Sequence, residues 1–315
     1  MADARAQFTG EQRGGEFERQ EDAFRAWISA DGSTPHPAEP GRYHLYVSLA
    51  CPWATRTAIT RDLLGLQEIV SMSVVDPVRD ERGWAFRDGP GHSRDPINDF
   101  AFLREAYHAT DPGFDGRVTV PVLWDKVSRR IVNNSEDDIC RMLNDAFRQH
   151  RRAGVDLFPE DLRAEQDELS AFIYEHVNNG VYRAGFATRQ AAYERACRMV
   201  FAALDRLEER LRERRFLFDT RIVDTDWRLF NTLVRFDAVY HGHFKCNLRR
   251  IIDYAHLQRY LEDLYHQPGI PALVNFGHIK RHYYITHTAI NPTGIVPLGP
   301  ELHLDSRHPA RSGEP

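Results

Sequence analysis

A single cysteine where an apolar strand hands over to an amphipathic helix is the strongest chemical signal in this chain. Cys51 is followed at once by Pro52, Trp53 and Ala54. Proline suits the first helical position, where its missing N–H removes no intrahelical bond, so the spacing puts Cys51 at the N-cap. Open backbone N–H groups and the positive end of the helix dipole favour a thiolate there, which predicts a lowered thiol pKa and a nucleophile active near neutral pH. A dithiol motif would carry its second cysteine at the place of Ala54, so a mixed disulfide at Cys51 must be resolved by an external thiol. The bland alternative, a buried core cysteine, is the reading given to Cys140 and Cys197, which lie inside helical patterns. His241, His243 and Cys246 suggest metal ligands, but residues two apart do not share a helix face, and the cluster is read as structural with no metal, metal binding being the lesser alternative.

Four further places could bear on such a thiol. Val120-Pro121 opens a strand with a residue that removes a ladder donor, leaving neighbouring backbone for another partner. Local sequence alone favours trans at this bond. Ser135 and Glu136 begin a helix, either as a cap with dipole-favoured charge or as groups for the amino and carboxylate ends of a peptide-like ligand. Tyr182 follows a glycine break at Gly180, and Tyr283 and Tyr284 lie in a polar stretch with His282 and His287. Packing and function weigh equally for these tyrosines; in a pocket, their hydroxyls could donate to a developing oxyanion.

The apolar patterns supply the scaffold. Tyr43, Leu45 and Val47 alternate as a half-buried strand, and Ala54, Ala58, Ile59 and Leu63 recur at helical spacing up to Gly65. A second strand runs from Ile69 to Val75. Residues from about 77 to 116 form a Gly- and Pro-containing insertion with Trp84 and a helical patch from Phe100 to Tyr107. Val118 to Trp124 and Arg130 to Val132 read as a hairpin, after which Asn133, Asn134 and Ser135 offer N-caps to a helix from Glu136 to Phe147. From Leu162 to Tyr265 the periodicity is helical, as in Phe201, Leu204, Leu207 and Leu211. The predicted order is an extension (1–40), an α/β domain (41–148), an all-helical domain (160–292) and a tail (293–315).

Composition bounds the function. With 315 residues, 42% hydrophobic and 11% aromatic, the chain can bury two cores. A net charge of -5, from 41 basic and 46 acidic residues, gives no field to draw it to nucleic acid or an anionic membrane. A polar N-terminus and the lack of any apolar run of bilayer length predict a soluble, cytoplasmic protein. Four scattered cysteines fit a reducing compartment.

Four separated segments then occur in one order: Tyr43-His-Leu-Tyr-Val-Ser-Leu-Ala-Cys-Pro-Trp-Ala54, Gly116-Arg-Val-Thr-Val-Pro-Val-Leu-Trp-Asp125, Val177-Asn-Asn-Gly-Val-Tyr-Arg-Ala-Gly-Phe-Ala187 and Asn291-Pro-Thr-Gly294. Together they resemble the Xi-class glutathione transferases, the glutathionyl-hydroquinone reductases, over roughly residues 40 to 300. The resemblance implies an α/β thioredoxin-like N-terminal domain with Pro121 in cis, an all-α C-terminal domain and a homodimer. It implies Cys51 as nucleophile, with Trp84, Arg117, Val120, Pro121, Ser135 and Glu136 at glutathione. Tyr182, Tyr283 and Tyr284 would border an aromatic quinol conjugate. The implied reaction removes glutathione from S-glutathionyl-hydroquinones through a Cys51 mixed disulfide, with a second glutathione as co-substrate. A glutaredoxin-like thiol transferase or dehydroascorbate reductase would share Cys51 without an aromatic pocket, and a non-catalytic glutathione-binding redox protein is the third reading. Three departures stand out. Ser135-Glu136 replaces the family's Glu-Ser, Thr55 replaces a histidine and is expected at the rim of the site, and Val223-Asp-Thr-Asp226 replaces a Thr/Ser-x-x-Asp cap, moving the expected cap to Asp224.

Overall fold

The computed structural model describes residues 12–304. They form two compact units, one of Glu18–Arg163 with Leu273–Val296, the other of Arg13–Phe17, Ala164–Ala272 and the stretch from Pro297.

The first unit is built on a four-stranded sheet. Strand β1 (Tyr43–Val47) pairs in parallel with β2 (Val70–Val74) and antiparallel with β3 (Val122–Asp125), which pairs antiparallel with β4 (Arg130–Asn133). The order is β2-β1-β3-β4. Every residue of β1 is buried, where the alternating pattern predicts one wet face. The insertion is the cause: the Tyr46 hydroxyl donates to Asp95 at 3.0 Å and its ring meets Phe86, so this stretch covers the second face. Asp95 also accepts the N–H groups of Ile97, Asn98 and Phe100, ordering an irregular segment through one carboxylate.

Helix α1 (Pro52–Leu63) follows β1 and is closed by Gly65, whose φ of +72° suits glycine best. Helix α2 (Arg104–Thr110) lies in the insertion and rests on β4, while α3 (Glu136–Asp145) packs against α1. The N-terminal segment covers the edge of β4. Asn134 N–H donates to Phe24 O at 3.1 Å, Ala26 N–H to Val132 O at 3.0 Å, and Phe24 N–H to Asn134 Oδ1 at 2.8 Å. Arg25 locks this arm by a forked ion pair to Asp138.

The second unit is helical, with α4 (Arg163–Ile173), α5 (Asn179–Gly185), α6 (Gln190–Leu211), α7 (Asp224–Arg235) and α8 (Ala255–Tyr265). Phe201, Leu204, Leu207 and Leu211 are buried along α6, as their spacing predicts. Gly180 is not a break. It lies inside α5, where a Cβ would come within 2.8 Å of Val200 on α6, so its absent side chain lets two helices approach. The α7 cap also differs from expectation. Its N-cap is Val223, which offers no side-chain acceptor, and Asp224 is already helical. Asp226 in the first turn accepts the N–H groups of Val223 (2.9 Å) and Leu217 (3.0 Å) and the Tyr260 hydroxyl (3.0 Å).

The chain then returns to the first unit. Helix α9 (Phe276–Arg281) starts with the Asn275 side chain accepting the His278 N–H and runs into a π-helical turn at His282–Thr286. His278 donates to Pro90 O at 2.7 Å and His282 to Pro77 O at 2.8 Å. These ties hold α9 and its π-helical turn to the insertion, and residues 273–292, expected in the helical domain, group with the sheet.

Burial pushes the Asp226 carboxyl up to about 7, against the hydrogen bonds from Val223, Leu217 and Tyr260. The folded state thus favours the protonated acid. This group's contribution is complete below the ordinary carboxylate range and is lost as pH rises through about 7. Asp226→Asn, which cannot ionise, is expected to be less stable than wild type yet to lose less stability between about pH 5 and about pH 8 in urea unfolding; a parallel fall in both proteins would refute the assignment. Asp226→Ala is expected to cost about 2–4 kcal/mol in the same measurement.

Candidate active site

Cys51 is the N-cap of α1, with Pro52 behind it and extended backbone at φ -80° and ψ 123°. It is half-buried, whereas Cys140, Cys197 and Cys246 are buried, and all four are free thiols. Burial pushes the thiols of Cys197 and Cys246 up, which makes them poor nucleophiles. Cys51 Sγ lies 3.7 Å from the carbonyl oxygen of Val120, so the loop entering β3 meets the start of α1. The Val120–Pro121 bond is cis, as the resemblance implies and local sequence alone does not. Thr55 is not at a rim. It is fully buried, its hydroxyl 2.9 Å from the Cys51 carbonyl and 3.3 Å from that of Leu49. A threonine four residues along a helix can bond back to the preceding turn, and here that turn carries the thiol.

A buried phenol aligns the other two loops. Tyr107 on α2 donates to Thr119 O at 3.0 Å and accepts the Thr119 N–H at 3.1 Å. The Asn134 side-chain amide donates to the same phenol (3.3 Å) and to Thr119 Oγ1 (3.2 Å). Thr119 precedes Val120 and Asn134 precedes Ser135, so one cluster sets both the cis-proline loop and the start of α3. Asn133 Oδ1 accepts the Ser135 N–H at 2.7 Å. Ser135 is therefore the N-cap residue, and the paired asparagines hold it in place rather than capping the helix themselves.

The start of α3 is crowded with charge. Glu136 approaches the buried Arg56 at 3.7 Å, and Arg56 also pairs with Asp137 at 2.7 Å. Asp22, on the N-terminal arm, lies close to Ser135. Burial raises the Asp22 carboxyl, an effect that Ser135, Arg25 and Arg19 offset only in part. Arg19 itself lies over the Trp53 ring, 4.8 Å from its centroid. Arg117 is half-buried on the segment leading to Val120.

The aromatic candidates form two groups. Trp84 is buried and stacks on His282, with centroids 5.0 Å apart and planes 19° apart, while Arg79 lies 5.4 Å over its ring. His282 meets Tyr283 edge-on, and Tyr283 in turn meets His287. Tyr283 is 1% exposed; Tyr284 is half-buried, and burial raises its phenol. Tyr182 belongs to the helical unit, packed among Phe17, Phe186, Tyr240 and Phe244. Among the described residues no group of three His, Cys, Asp or Glu is arranged to hold a metal, and no helix is long and apolar enough to cross a membrane.

Asp22, Arg19, Tyr107 and His282 were not foreseen as parts of this region. Asp22 and Arg19 sit in a stretch without periodicity, and nothing local marks them. Tyr107 gave one signal, an aromatic at the end of the insertion's helical patch.

Residues 50–146 match the glutathione S-transferase N-terminal domain and residues 190–263 the glutathione S-transferase C-terminal domain. The chain is 50% identical over 303 residues to the glutathionyl-hydroquinone reductase YqjG of Escherichia coli, covering 94% of this chain and 92% of that one. It is 48% identical over 291 residues to the glutathionyl-hydroquinone reductase PcpF of Sphingobium chlorophenolicum, covering 92% of each. The glutathione-bound structure of YqjG superposes with a TM-score of 0.88 over 91% of this chain and 95% of its own. The glutathione transferase Xi of Phanerochaete chrysosporium, 46% identical, gives 0.88 over 90% and 98%. With a thioredoxin-like sheet unit, a helical unit and this degree of identity along nearly its whole length, the chain belongs to the Xi-class glutathione transferases, the glutathionyl-hydroquinone reductase family.

Proposed function

We propose that this protein is a glutathione-dependent reductase that removes glutathione from S-glutathionyl-hydroquinones. The observation that carries the reading is the half-buried Cys51 thiol at the start of α1 beside the Val120 carbonyl, in a chain half identical to a glutathionyl-hydroquinone reductase.

The reaction runs opposite to conjugation. The conjugate's ring tautomerises so that its sulfur-bearing carbon lies beside a carbonyl. Cys51 thiolate attacks the glutathione sulfur, the carbon–sulfur bond breaks, and its electron pair passes through the enolate to oxygen. Proton uptake releases the hydroquinone and leaves Cys51 in a mixed disulfide with glutathione. A second glutathione thiolate attacks the glutathione sulfur of that disulfide, giving oxidised glutathione and the Cys51 thiolate. Ala54 explains why the second thiol is external.

Glutathione is held by Trp84, Arg117, the Val120-Pro121 backbone, Ser135 and Glu136. Its glutamyl end docks at the start of α3, where open helix N–H groups receive a carboxylate. Tyr182, Tyr283 and Tyr284 border the quinol. A hydroxyl donated to the developing oxyanion is worth about 2–4 kcal/mol. The reading includes a homodimer, supported by the family resemblance, and a cytoplasmic setting, where a reducing milieu supplies glutathione and keeps the four thiols free.

Cys51→Ala is expected to abolish conversion of glutathionyl-menadiol to menadiol, followed by chromatography of the product. Full turnover in that variant would sink the mechanism. Wild type given the conjugate without free glutathione is expected to gain the mass of one glutathione on Cys51. Tyr283→Phe is expected to lower kcat on the conjugate about a hundredfold while cleaving the mixed disulfide of glutathione and 2-mercaptoethanol near the wild-type rate. Equal rates of loss on the two substrates would favour the thiol-transferase reading.

A further inference from the structure

His282 is the first residue of the π-helical turn that follows α9. It is buried, and its Nδ1 donates to the Pro77 carbonyl at 2.8 Å. A carbonyl oxygen only accepts, so this bond places a ring proton on Nδ1 and fixes the orientation of the imidazole. A second tie runs beside it, from the Arg79 N–H to Thr286 Oγ1 at 3.4 Å. The start of the insertion and the turn are thus joined at two points within one compact unit.

The fixed ring meets two of the site candidates. Trp84 stacks on it, with centroids 5.0 Å apart and planes 19° apart, and Tyr283 meets it at 86° with centroids 5.4 Å apart. Trp84 belongs to the insertion and is held there by its own carbonyl, which accepts the Leu103 N–H at 2.9 Å. Tyr283 belongs to the turn, where its ring also packs on His287 at 5.2 Å. All three rings that meet at His282 are buried. Buried rings are close-packed, so neither Trp84 nor Tyr283 can shift without displacing the imidazole they share.

The chemistry makes that spacing matter. In the proposed reaction the bond that breaks joins a glutathione sulfur to a quinol ring, while charge develops on an oxygen elsewhere in that ring. Sulfur and oxygen must therefore be held at once, and a misplacement of about 1 Å can cost about a hundredfold in rate. We infer that His282 is a positioning residue for conjugate cleavage, its imidazole setting Trp84, at the glutathione portion, and Tyr283, at the quinol portion, to one fixed spacing. The inference rests on the reading that Trp84 borders glutathione and Tyr283 the quinol. It gives His282 no part in the bond changes themselves.

The test is a pair of double-mutant cycles. His282→Asn keeps a donor for the Pro77 carbonyl and removes the ring, and its melting temperature reports whether the fold is kept. If it is not, His282→Leu goes through the same cycles with the same expectations. His282→Asn is expected to lower kcat on glutathionyl-menadiol about thirtyfold. Tyr283→Phe, which costs about a hundredfold in the wild-type background, is expected to cost less than about fivefold beside His282→Asn, because the hydroxyl is no longer aimed. In calorimetric titration with glutathione under reducing conditions, Trp84→Leu is expected to weaken binding about tenfold alone and less than about threefold beside His282→Asn. His282→Phe, which restores a ring, is expected to recover most of the lost kcat. Additive losses in either cycle would show that His282 serves only the fold and overturn the inference, as would a kcat in His282→Asn within about twofold of wild type. Should Tyr283→Phe or Trp84→Leu change nothing in the wild-type background, the placement of that residue at the ligand falls and the inference falls with it. Additive losses, by contrast, remove the role of His282 and leave that placement standing.

Discussion

The side chain of Asn134 is the constraint on which the rest of the sheet unit depends. Its carbonyl accepts Phe24 N–H, and its amide donates to Tyr107 and Thr119. Three chain segments distant in sequence thus meet at one buried amide, and a buried amide left unsatisfied is costly. The N-terminal arm, the insertion helix and the loop entering the cis bond cannot shift independently while this residue is satisfied. The loop that carries Val120 beside the Cys51 thiol and the start of α3 take their relative geometry from that single junction.

Much of the molecule could be read before any coordinates. Cys51 announced itself through Pro52 and a strand-to-helix change, and α6 through Phe201, Leu204, Leu207 and Leu211, because burial on one helix face leaves a periodic trace. Other parts leave no such trace. The cover over β1 comes from Asp95 accepting scattered N–H groups, and the return of α9 to the sheet unit comes from histidines donating to Pro77 and Pro90 carbonyls. Backbone carbonyls have no residue type, so such partners are invisible in a sequence. Gly180 was misread for a related reason. Turn and close approach both select glycine, and only the facing Val200 tells them apart.

The site residues divide in the same way. The cis state of Pro121 follows from matching a family pattern and the thiol position from Pro52 and the strand-to-helix change, while Thr55 and Asn133-Asn134 take roles that their types permit but their spacing does not specify. Thr55 looked like a substitution on an open surface and is instead inside the fold, bonded to the carbonyl of the cysteine it follows. A short hydroxyl can reach that oxygen from within the helix, so the turn is held from its own first coil.

The arm along β4 also bears on how the protein behaves in a crowded solution. An edge strand with open N–H and C=O groups is a template for strands from other chains. Here the chain's own residues 24–26 occupy that edge by backbone pairing with residues 132–134. The N-terminal arm thereby closes this edge of the sheet to strands from other chains. Fraying of the arm would open that edge, which ties colloidal solubility to the same few hydrogen bonds that fix the residues before α3.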